Sequence, residues 1–217
     1  MTRCTFLLIT LLAAPAVLAQ YGLDELPDDL VSDFRALREE IESDPQALED
    51  VIKAGRERAI FCNTCHGDDG NAERPTYPAL AGQNAAYLLD QIEQFAAGTR
   101  EKKVMNVLAA TFSNEEKVTL ALYYTNMERE RPVLDADLAQ QGAAEYQLRC
   151  AQCHGADGRG QQGYARIAGQ QPGYIAKVLR EYRSGESPRR LSPMYGVAAA
   201  LDESVIDAIA HYAASLR

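Results

Sequence analysis

The chain has 217 residues, 47% of them hydrophobic and 24% charged, with a formal net charge of −9. That length allows two small domains or one of ordinary size, and the composition is that of a globular protein with a core rather than a disordered one. So acidic a surface repels nucleic acid and anionic lipid headgroups, which excludes the first, leaves at most peripheral contact with a membrane, and favours proteins with basic docking surfaces.

Residues 1–19 read as a secretory signal peptide. Arg3 supplies the positive start, Phe6 to Leu18 is almost wholly apolar, and Val17-Leu18-Ala19 offers small residues for cleavage. The alternative, an uncleaved anchor, would need a longer apolar run to span a bilayer. Cleavage after Ala19 leaves Gln20 first, takes the charge from −9 to −10 and removes Cys4. The expected location is the periplasm. Residues 20–49 follow as an acidic extension, where Leu30, Phe34, Leu37 and Ile41 recur at helical spacing and predict an extra helix packed on the next segment.

From there the chain repeats itself once. Phe61-Cys62-Asn63-Thr64-Cys65-His66-Gly67 is echoed by Arg149-Cys150-Ala151-Gln152-Cys153-His154-Gly155. Leu80-Ala81-Gly82-Gln83 returns as Ile167-Ala168-Gly169-Gln170, and Tyr87, Phe95 and Gly98 return as Tyr174, Tyr182 and Gly185. Met105 before Leu108-Ala109-Ala110 matches Met194 before Val197-Ala198-Ala199, and Tyr123-Tyr124 matches His211-Tyr212. The order of these landmarks predicts one small domain over 50–130 and a second over 131–217, with the linker starting at Arg129-Glu130-Arg131-Pro132.

Each half reads as helical. Asp44 as N-cap and Pro45 at the first helical position open a helix running toward Cys62. Ser113 and Glu116 form a capping box before a helix carrying Val118, Ala121, Leu122 and Tyr124. Asp202 is expected to cap the last helix, where Val205, Ile209, Tyr212 and Leu216 recur at helical spacing. Gly67-Asp68-Asp69-Gly70 marks a loop, and no alternating strand pattern occurs.

The four cysteines left after cleavage, Cys62, Cys65, Cys150 and Cys153, all sit in Cys-x-x-Cys-His motifs. Two such thiols can each attack one vinyl group of a porphyrin, and the adjoining histidine then supplies the proximal ligand to its iron; this is the c-type haem signature. Two disulfides, or two thioredoxin-like pairs, leave both histidines without a purpose. A zinc site built from both pairs would have to bridge most of the chain. The reading is two covalently bound haem c groups, with His66 and His154 as iron ligands. In bacteria haem is attached outside the cytoplasm, in keeping with the signal peptide.

A methionine thioether opposite the histidine raises the potential and closes the iron to substrate. Met105 lies 39 residues after His66 and Met194 lies 40 after His154, and this equivalence selects both. Met127 has Ser215 as its counterpart and reads as packing, and His211 as a packing or surface residue. A proximal histidine also donates its second N–H to an acceptor, and the backbone near Pro78, or near Ala165 in the second half, is suitably placed to accept it.

On both haem motifs, Pro78 to Gln83, Tyr87, Phe95, Gly98, both methionines and Tyr123-Tyr124, the sequence resembles the di-haem cytochrome c4 family. The resemblance spans about Asp50 to the C-terminus. It implies an all-α fold of two tandem class I cytochrome c domains, preceded here by the acidic helical segment, which is longer than the family leads one to expect. It implies two domains about a pseudo-two-fold axis with haem propionates facing across it. It also implies a periplasmic electron carrier rather than an enzyme, passing electrons to a haem-copper terminal oxidase. The rival readings are the cytochrome subunit of a flavoprotein dehydrogenase, such as a flavocytochrome c sulfide dehydrogenase, and a di-haem peroxidase, against which the symmetrical methionines argue.

Overall fold

A computed structural model describes residues 23–160, 163–189 and 192–217. The expected signal peptide and its cleavage point lie outside these residues. The described part is helical, with no strand beyond a single antiparallel bridge between Arg100 and Arg189.

The acidic segment forms α1 (Asp28–Ser43), begun by Pro27 with Asp28 and Asp29 in the first turn, where carboxylates favour the helix dipole. Helix α2 (Pro45–Arg58) opens as the sequence predicts: Pro45 is at its start and the Asp44 side chain accepts from the Gln46 N–H. It does not continue unbroken to the first motif, because the chain resets at Ala59 before α3 (Ile60–His66). Then come α4 (Ala85–Ala96), α5 (Lys103–Ala109) and α6 (Asn114–Thr125), whose Ser113–Glu116 capping box is complete. The second half runs α7 (Ala136–Arg149), α8 (Ala151–His154), α9 (Pro172–Arg183), α10 (Met194–Ala199) and α11 (Glu203–Ser215). Asp202 holds the N-cap position of α11, but its side chain makes no capping hydrogen bond.

Each half has its own core. The first gathers Val51, Leu88, Leu89, Val118, Leu120, Leu122 and Tyr123; the second gathers Tyr146, Ile175, Leu179, Ile206 and Ile209. The same crossing organises both, α2 against α6 and α7 against α11, and in each a glycine lets the helices approach. A Cβ on Gly55 would lie 2.3 Å from the Tyr123 Cβ, and one on Gly142 would lie 2.1 Å from the Ala208 carbonyl oxygen. Helix α1 adds Leu30, Val31 and Phe34, all buried, to the first core, with Leu37 and Ile41 packed at its edge. The Asn114 amide at the start of α6 donates to Asp29 at 2.9 Å and ties the extra helix down. Met127 packs on the first core, and His211 Nδ1 accepts the Asp135 backbone N–H at 2.9 Å.

Candidate functional site

The first motif is wound as helix, and in the second Cys150 caps α8 in helical conformation and accepts the His154 N–H at 2.9 Å, so in both the cysteines three apart and the histidine four after the first share one face. Cys62, Cys65, Cys150 and Cys153 are free thiols, so the disulfide alternative is not realised. Among the described residues no cluster of three or more Cys, His, Asp or Glu side chains forms a metal cage, so neither is the zinc alternative.

Directly after each histidine the chain turns at a glycine, Gly67 with φ 83° and ψ 154° and Gly155 with φ 83° and ψ 153°. This region belongs almost only to glycine, and a Cβ on Gly67 would also meet the Asn71 carbonyl oxygen at 2.3 Å. The turn brings the following loop back to the imidazole. His66 Nδ1 donates to the Pro78 carbonyl at 2.9 Å and His154 Nδ1 to the Ala165 carbonyl at 2.8 Å. A carbonyl only accepts, so the proton sits on Nδ1 and Nε2 keeps its lone pair for a metal. Burial pushes both imidazoles below the usual histidine value, against the opposing effect of the carbonyl bond, and keeps them neutral. Tyr77 and Tyr164 set their rings edgewise to His66 and His154, each pair with centroids 6.4 Å apart.

Met105 on α5 and Met194 on α10 are both half-buried, on short helices packed against α4 and α9 respectively. Each methionine thus occupies the matching place in its half.

Two features at the junction of the halves carry no signal strong enough to be assigned from sequence. The first is a reciprocal exchange of amides. Gln170 donates to the Ala79 carbonyl at 2.9 Å and accepts the Ala79 N–H at 2.8 Å; Gln83 donates to the Arg166 carbonyl at 2.8 Å and accepts the Arg166 N–H at 2.6 Å. Self-complementary exchange of this kind is what two-fold symmetry produces. Arg129 at the expected linker also donates to the Ala81 carbonyl, so the connection is pinned where it leaves the first half.

The second is a pair of buried cations. Arg100 and Arg189 are 8% and 7% exposed, and both bond Gln91 Oε1, at 2.6 Å and 3.1 Å, and the Tyr174 hydroxyl, at 3.4 Å and 3.0 Å. They stack over the repeated aromatics Phe95 and Tyr182. No carboxylate among the described residues forms an ion pair with either, and Arg100 Nε has no hydrogen-bond partner. Burial alone would raise the Tyr174 phenol, yet the field of Arg189 and Arg100 outweighs it and draws the value down. Two buried positive charges call for buried negative ones. Haem carries two carboxylates, two vinyl groups for thiols and an iron for Nε2, and it fits this set of residues.

Residues 139–217 match the family model described as Cytochrome c. A cytochrome c4 of Azotobacter vinelandii is 32% identical over 180 residues, covering 73% of this chain and 86% of that protein. A thiosulfate dehydrogenase electron acceptor of Stutzerimonas stutzeri is 30% identical over 172 residues, covering 73% of this chain and 80% of that protein. The solved structure of reduced recombinant cytochrome c4 from Pseudomonas stutzeri is similar with a TM-score of 0.71 and 30% identity, over 76% of this chain and 98% of that one.

Proposed function

The chain belongs to the cytochrome c4 family of di-haem electron-transfer proteins, and we propose that Cys62 and Cys65 hold one haem by thioethers and Cys150 and Cys153 the other. It carries covalently bound haem c and is an electron-transfer protein rather than an enzyme. His66 and Met105 bind the iron in the first half, His154 and Met194 in the second. The observation that carries this reading is the pair of histidines, each next to two free thiols and each locked by Nδ1 to a backbone carbonyl so that Nε2 is free to bind. Arg100 and Arg189 supply the positive charge that the haem carboxylates need.

Haem, when bound, supplies the one-electron chemistry; the protein's part is to set the potential and close the iron to substrate. Two His/Met sites leave no open position, which makes the molecule a carrier. It works in the periplasm as a soluble protein, between respiratory donors and acceptors such as a haem-copper terminal oxidase. The expected signal peptide supports that location, and among the described residues no helix is long and apolar enough to cross a membrane. Reduced-minus-oxidised spectra with the sulfur-to-iron charge-transfer band test the reading: both haems are expected to be low-spin, and a high-spin signal from either at neutral pH would overturn it.

A second reading makes the chain the electron-accepting partner of a dehydrogenase, and the similarity to a thiosulfate dehydrogenase electron acceptor favours it. Purification from the native source separates the two. Stoichiometric co-migration with a dehydrogenase marks the subunit, and a free monomer or dimer marks the carrier.

A further inference from the structure

The carbonyl that holds each histidine belongs to a peptide group whose N–H is held by the other half of the molecule. The Pro78–Ala79 peptide accepts at oxygen from His66 Nδ1 at 2.9 Å and donates from nitrogen to Gln170 Oε1 at 2.8 Å. The Ala165–Arg166 peptide accepts from His154 Nδ1 at 2.8 Å and donates to Gln83 Oε1 at 2.6 Å. Both glutamines are buried, at 5% and 4% exposure for Gln83 and Gln170. Their orientation is set by the network itself. Oε1 of Gln170 also accepts the Gln171 N–H at 2.9 Å and Oε1 of Gln83 the Asn84 N–H at 3.0 Å, while each Nε2 faces a carbonyl. Two converging N–H groups demand an oxygen, so only one amide rotamer satisfies the site.

An amide that donates through its N–H becomes a better acceptor at its oxygen, because both bonds draw on the same resonance. A better acceptor pulls harder on the Nδ1 proton and makes the imidazole a stronger donor at Nε2. A stronger donor favours ferric over ferrous iron and lowers the potential. We propose that Gln170 and Gln83 are positioning residues acting across the interface, Gln170 tuning His66 and Gln83 tuning His154. The proposal rests on reading both histidines as haem ligands. Residues that merely joined the halves could grip any exposed backbone; these two grip the one peptide in each half that holds the histidine.

The test uses the full holoprotein, with Gln170→Leu and Gln83→Leu followed by haem-resolved NMR during a redox titration. Selective 15N-histidine labelling of the unmodified protein first identifies the iron-bound imidazoles. Gln170→Leu is expected to raise the midpoint potential of the His66 haem, to move the His66 Nδ1–H signal toward that of a weaker hydrogen bond, and to leave the His154 haem in place. Gln83→Leu is expected to give the mirror image. Gln170→Glu keeps an oxygen opposite the Ala79 N–H while removing the amide donor, so it returns the His66 potential to the original value or below. That variant also serves if the leucine variants fail to assemble. Equal shifts of both haems in every variant mean simple loosening of the interface and overturn the relay, as does no shift in any. If the labelled spectrum shows iron bound by a nitrogen other than His66 or His154, the ligand reading itself fails, and the relay with it.

Discussion

The two halves hold their histidines alike and surround them differently. In the first half, Ile60 and Phe61 before the cysteines and Val104 and Val107 around Met105 are all large hydrophobic side chains more than 60% exposed. The matching positions of the second half are Leu148, Arg149, Pro193 and Gly196, of which only Leu148 is an exposed large hydrophobic. The first half also carries α1, with no counterpart before the second motif, and Pro78 where the second half has Ala165. What is shared by repetition is therefore the glycine turn and the carbonyl that hold each histidine, and what differs is the surface and support around them. The two sites are thus alike in how each histidine is held and unequal in the residues at matching positions around them.

The largest effect comes from removing ligands one half at a time. His66→Ala and His154→Ala are each expected to remove about half of the low-spin haem signal, seen in reduced-minus-oxidised spectra. Equal losses would sharpen the equivalence; loss of both signals from either single change would break it.

Next is the unshared helix. Phe34 is 2% exposed in the first core, and Phe34→Ala is expected to cost about 3–5 kcal/mol in chemical denaturation, confined to the first half. A single transition with both halves destabilised equally would show that α1 supports the whole molecule.

The shared crossings follow. Ala at Gly55 or Gly142 overpacks a helix contact, a change that costs about 1–3 kcal/mol. Gly142→Ala is expected to lower the thermal midpoint more, because its Cβ would meet the Ala208 backbone at 2.1 Å, whereas Gly55 opposes the Tyr123 side chain. The reverse order would mean that α2 and α6 are the more rigid pair.

The smallest effect belongs to the proline. Pro78→Ala makes the first half like the second, and the loss of chain restriction is worth about 0.4–1 kcal/mol. The Ala165 carbonyl already holds its histidine at 2.8 Å, so the His66 haem spectrum is expected to remain as it was. A changed spectrum would show that ring rigidity, and not only the carbonyl, matters there.

Much of the site was legible because covalent chemistry and local geometry are written in adjacent residues. Cys62, Cys65 and His66 stand together in the chain, and the turn at Gly67 follows at once. The caps at Asp44 and Ser113 were legible for the same reason, being contacts over two or three residues. Asp202 offered the same local signal, yet its side chain makes no capping bond, since a residue type permits a hydrogen bond without compelling it. Gln83 and Gln170 stood in plain view as part of the repeat, but a glutamine bonding 83 or 91 residues away leaves no local mark.

The helical halves, their repetition and the chemistry of two Cys-x-x-Cys-His motifs follow from residues that are neighbours in the chain. That each half bonds the peptide holding the other's histidine, and that Arg100 and Arg189 are buried together, emerged on folding. Those arrangements arise only where the two halves meet, and a meeting surface is a property of the packed molecule rather than of any segment.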